Sequence, residues 1–150
     1  MERKSRVWPV TMIILGAVGL VMGVVFIFQG VSKSHLLRDN MRVEKVTLHF
    51  VPGAAKDEII DTADEAMAAG DVIREHRRKI APTYEDLLGG KKFDPSQAKQ
   101  LKFAQALNME NYLYLAVVAF GLTQVVIASG VFMIITGIAI GGTGITLYKN

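Results

Sequence analysis

Two uncharged stretches frame this chain, and polar sequence fills the interval between them. Val7 to Val31 and Tyr112 to Tyr148 contain no Asp, Glu, Lys, Arg or His. A helix needs roughly 20 apolar residues to cross a hydrocarbon core of about 30 Å, so each stretch predicts a transmembrane helix, the second with length to spare. Small residues return every seven positions in the second stretch, at Ala116, Thr123, Gly130, Gly137 and Gly144, and in the first at Gly16, Gly23 and Gly30. A seven-residue recurrence keeps such positions on one face of a helix packed at coiled-coil angles, and small residues there let backbones approach closely. Gly19 and Gly23 add a GxxxG spacing, a weak signal in isolation because glycine is common in such helices. The helix-packing residues expected from this pattern are Gly16, Gly19, Gly23, Gly30, Thr123, Gly130 and Gly137.

Between the stretches the period changes. Val43, Val46, Leu48 and Phe50 roughly alternate with Glu44, Lys45, Thr47 and His49 before Pro52-Gly53, which marks a strand candidate over 43–51. A lone strand is unstable, so it needs a pairing partner or is an extended linker. From 54 to 80 the apolar positions fall near one stripe, through Ile59, Ala63, Ala66, Met67, Gly70, Ile73 and Ile80, and predict an amphipathic helix. A further short helical turn is expected after Pro82, stopped by Gly89-Gly90. Asp94, Pro95 and Gln97 form a capping-box signature, so one long helix is expected from 95, its first turns (95–111) outside the membrane and 112–140 crossing it. Gly141, Gly142 and Gly144 argue for a frayed tail over 141–150, because each glycine costs a helix about 1 kcal/mol relative to alanine. The fold class expected is an all-α membrane protein: a two-transmembrane-helix hairpin with a mainly helical extramembrane region of about 80 residues.

The distribution of charge supports the membrane class. All 14 acidic and 17 basic residues lie outside the two stretches, whereas the amphipathic elements of a soluble core would mix charge into each. Residues 1–6, MERKSR, open like a secretory signal, but the apolar run that follows exceeds an h-region and no A-x-A-like site ends it. An uncleaved first span is the expectation, with Trp8 at headgroup level. Arg3, Lys4 and Arg6 favour cytoplasmic termini, in a plasma-membrane protein whose middle region lies on the other side. A net charge of +3, nowhere clustered into a strongly basic face, argues against nucleic acid as a partner. Zero cysteine excludes disulfides, thiolate metal sites and a cysteine nucleophile.

Candidate chemistry is sparse. Arg74, Arg77, Arg78 and Lys79 form a possible anion or lipid-headgroup contact, at about 1 kcal/mol per basic side chain near an anionic membrane. The competing reading is a solvated helix end, basic at its C-terminus and acidic at Asp57, Glu58, Asp61, Asp64 and Glu65, as the macrodipole favours. His35, His49 and His76 lack metal-ligand spacing, and no nucleophile or phosphate-loop motif occurs, so neither enzymatic activity nor a cofactor is expected. Within the second span Gln124 is the candidate for an interhelical polar contact. No ionisable residue sits at depth, which argues against a proton relay or coupled transporter. The expected function is that of a small non-catalytic accessory subunit or self-assembling scaffold, meeting the bilayer, itself or other membrane subunits through its glycine faces. The alternatives are a homo-oligomeric pore with Gln124, Ser129 and Thr136 facing a lumen, and a receptor-like protein whose middle region binds a ligand or lipid.

Overall fold

The computed structural model describes residues 7–55 and 57–149 and is mostly helical, with helices α1 (Val7–Glu44), α2 (Ala63–Ile80), α3 (Tyr84–Leu88) and α4 (Ala98–Lys149). Both long helices pass the length and composition test for a membrane span, with mean hydropathy of 2.7 and 2.2 over their most apolar windows. The chain divides into two compact units, one of residues 7–35 with 122–149 and one of Leu36–Gly121.

In the first unit, glycine decides the packing. The residues of α1 that bury are Pro9, Gly16, Gly23 and Gly30, seven apart. A Cβ on Gly16 would lie 2.6 Å from the Gly141 Cα, one on Gly23 2.7 Å from the Gly130 carbonyl oxygen, and one on Gly30 3.1 Å from that of Thr123. From the other side, a Cβ on Gly137 would come within 2.8 Å of the Gly16 oxygen and one on Gly144 within 2.9 Å of Pro9. Numbers rise along α1 as they fall along α4, so the paired segments are antiparallel. Backbone meets backbone along the whole line, which only a missing side chain permits. The same contacts correct the expectation of a frayed tail over 141–150: Gly141 and Gly144 face α1, their packing offsets the propensity cost, and the helix holds to Lys149. Asn150 and residues 1–6 lie outside the described residues.

The second unit has a core of its own. Leu48, Ile60, Ala66, Ala69 and Leu113 are buried together, with Met41, Val46, Phe50, Ile73, Ala116 and Val117 packed around them. Leu113, Ala116 and Val117 belong to the uncharged run that begins at Tyr112. The first turns of that run therefore cover α2 and the 46–60 segment, which accounts for its surplus length.

The strand expected over 43–51 does not form; among the described residues there is a single antiparallel bridge, between Thr47 and Ile59. Val43 and Glu44 finish α1, Lys45 turns the chain at φ 49°, and two backbone bonds, Leu48 N to Glu58 O and Ile60 N to Val46 O, close a short loop. Two bonds are too few for a ladder, and burial of Leu48 and Ile60 holds the segment instead. Helix α2 accordingly starts later than 54, at a capping box in which Thr62 Oγ1 accepts from Glu65 N and Glu65 Oε2 accepts from Thr62 N. A second box, Thr83 with Asp86, starts α3, and Gly89 in the left-handed region at φ 55° ends it. At the head of α4, Asp94 accepts from the Ser96 amide and hydroxyl, but its own backbone amide donates to Gln100 Oε1 rather than to Gln97. The helix begins at Ala98, one turn on from the expected start.

Candidate functional site

The basic cluster of α2 is largely spent on internal contacts. Arg77 is buried: its Nε donates to Glu110 Oε2 at 2.6 Å, and its guanidinium lies 4.9 Å over the Phe103 ring. Arg74 pairs with Asp71 at 2.6 Å and lies over Tyr114, whose hydroxyl donates to the same carboxylate at 2.6 Å. Lys79 pairs with Glu75 one turn back, and that bond holds the Glu75 carboxyl below its ordinary range. Arg78 is exposed and makes no ion pair among the described residues. Three of the four candidate anion contacts thus have carboxylate partners, and the four do not converge on one point. Gly70 lets α2 close on α4, since a Cβ there would stand 3.3 Å from the Tyr114 ring.

The polar residues of the uncharged stretches turn inward on their own helices. Ser129 Oγ donates to the Val125 carbonyl at 2.8 Å, Thr136 Oγ1 to Phe132 at 2.8 Å and Thr11 Oγ1 to Val7 at 2.9 Å. Thr123 is buried at the Gly30 crossing. Gln124 is exposed, and the interhelical bond expected of it is not made among the described residues: it lies on the far side of α4 from Gly130 and Gly137. At 100° per residue, Gln124 also stands about 140° round the helix from Ser129, so the expected lumen residues do not share a face. Among the described residues no group of three or more metal-binding side chains is found.

Among the described residues, concavities open on the second unit. One, of 380 Å³, lies beside Tyr84, Phe93 and Leu107. The larger, of 690 Å³, lies between the last turns of α1 and the early turns of α4, with Met41, Glu44 and Val46 on one wall and Gln105, Met109 and Leu113 on the other. Sequence reasoning missed it, because its walls are distant in the chain and each contributes an unremarkable helical turn. Arg38 carries a buried Nε with no hydrogen-bond partner among the described residues. Comparison with protein families, with curated proteins and with solved structures gives no match.

Proposed function

We propose that the chain is a small, non-catalytic integral membrane protein that crosses the bilayer twice, through Val7 to Val31 and the part of α4 from Leu122 onward. Its glycine faces form the seam between its own two spans, and it serves as an accessory subunit or scaffold for other membrane proteins. The observation that carries this reading is exposure. Only 11% of the most apolar window of each long helix is buried, whereas the core helix of a soluble protein is mostly buried. Val10, Ile14, Val18, Val21, Val25 and Phe28 stand exposed on α1, and Val125, Phe132, Ile135 and Ile138 on α4. In water such a surface far exceeds the few hundred Å² that a soluble monomer exposes; in lipid it costs nothing. The seam supports the same reading, since close backbone approach through glycine is how helices associate where no hydrophobic force drives them together.

Two crossings place both termini on one side and Leu36–Gly121 on the other. The basic residues Arg3, Lys4 and Arg6 favour cytoplasmic termini in the plasma membrane. The test is purification from native membranes. The protein should resist carbonate and high-salt washes, require detergent, and carry a partner in fixed ratio. Release without detergent would refute the membrane reading, and a lone monomer in every mild detergent would refute the subunit role.

A further inference from the structure

The 690 Å³ groove of the second unit falls within the size range of ligand sites and has a divided lining. Its apolar part is Met41, Val46, Met109, Leu113 and Ala116; its polar part is Asn40, Glu44, Gln105 and Asn108. Among the described residues no Lys or Arg lines it. The Glu44 side chain is exposed at the rim of the groove and makes no ion pair or hydrogen bond with the described residues, while the carboxylates of Asp61, Asp71, Glu75 and Glu110 all have cationic partners.

We propose that this groove binds a single-chain amphiphile with a primary ammonium head. The three N–H donors of such a head match the Glu44 carboxylate and the side-chain amide oxygens that Asn40, Gln105 and Asn108 bring to the same lining, the pairing that charge-assisted hydrogen bonding favours. A quaternary ammonium has no N–H to give and is recognised instead by several aromatic faces; Tyr112 is the lone aromatic side chain in the lining. An anionic head would meet Glu44 with no cation to offset it. The alkyl chain lies on Leu113 and Ala116. A second copy of the chain is a poorer occupant, because it would bury the Glu44 charge unpaired unless it brought a cation to it.

This site goes beyond the scaffold role, and either can fail without the other. The test uses the full chain in phosphatidylcholine nanodiscs, with dodecylamine, dodecyltrimethylammonium and dodecanol added in turn and backbone hydrogen exchange read over 40–46 and 105–116. Dodecylamine should slow exchange there at about tenfold lower concentration than the quaternary amine. Glu44→Gln should remove that difference while leaving exchange over 63–80 unchanged, which shows the fold intact; Ala116→Phe, which fills the apolar end, should weaken dodecylamine protection. Equal protection by all three amphiphiles, or a preference that survives in Glu44→Gln, would overturn the assignment. So would protection that appears on replacing phosphatidylcholine by phosphatidylethanolamine with no amine added, which would make a diacyl lipid the occupant, or protection that depends on protein concentration alone, which would make it a second copy.

Discussion

Arg77 and Glu110, 33 residues apart, meet at 2.6 Å with only about a tenth of either side chain exposed, and their ion pair ties α2 to the long helix. Taking two charges out of water is costly, and the pair holds because Nε and Nη2 both reach the carboxylate and the Phe103 ring takes the guanidinium face. Removing one partner strands the other. Glu110→Ala should therefore destabilise the second unit by about 3–5 kcal/mol and speed hydrogen exchange throughout α2. The joint replacement Arg77→Met with Glu110→Leu should recover most of that loss. Denaturant unfolding of the two variants checks both figures, and a double variant no better than Glu110→Ala would show that the pair adds more than packing can.

The seam between α1 and α4 separates glycines that packing requires from those it does not. A Cβ on Gly16 would sit 2.6 Å from the Gly141 backbone, which cannot move aside as a side chain can, whereas one on Gly142 or Gly121 meets nothing within 4 Å. Gly16→Ala should force the helices apart and weaken the seam by about 1–3 kcal/mol. Gly142→Ala should leave it intact and gain up to about 1 kcal/mol in helix propensity. Unfolding in mixed detergent micelles, followed by circular dichroism, distinguishes opposite signs from a uniform small effect.

Asp94 makes one end of α4 sensitive to pH. The Ser96 hydroxyl and amide, donating to its carboxylate, hold its pKa below the ordinary value near 4. A lowered folded value means that the cap contributes fully above the unfolded pKa and is lost as pH falls through the folded one. Amides of the first turn, near Ala98, should then lose protection, measured against the intrinsic exchange rate at each pH, as the solution is taken below about pH 4. Asp94→Asn, which keeps an acceptor but cannot titrate there, should flatten the profile. A profile equally steep in that variant would assign the acid sensitivity to other carboxylates.

The sequence made the seam legible because heptad glycines in a charge-free run have few other uses, and the same logic located both apolar stretches. It failed where contacts depend on the fold. Arg77 reads as one of a basic row on a helix end, and nothing local says that Glu110 will bury against it. Ile59 extends the apolar stripe of α2 upstream, yet the capping box at Thr62 and burial of the adjacent Ile60 against Leu48 place it in a loop. Tyr112 to Gly121 reads as lipid-facing helix by composition, although Leu113 is a core residue of the second unit.

Gln124 shows how position along the seam changes a residue's meaning. By composition it is an amide within a long uncharged run, where an interhelical hydrogen bond would bring about 0.5–2 kcal/mol. The Gly30 crossing relocates it. A Cβ on Gly30 would meet Thr123 O and Ile127, so Gln124 stands level with Gly30, and α1 turns polar just beyond, at Ser32 and Lys33. In the membrane placement proposed above, an exposed amide there would reach headgroups and interfacial water, which satisfy it as well as another helix would. Gln124→Leu should accordingly change seam stability by less than about 0.5 kcal/mol and leave any co-purifying partner in place. Loss of the partner in that variant, with the seam unaltered by detergent unfolding, would make Gln124 the polar anchor of an interface with another subunit.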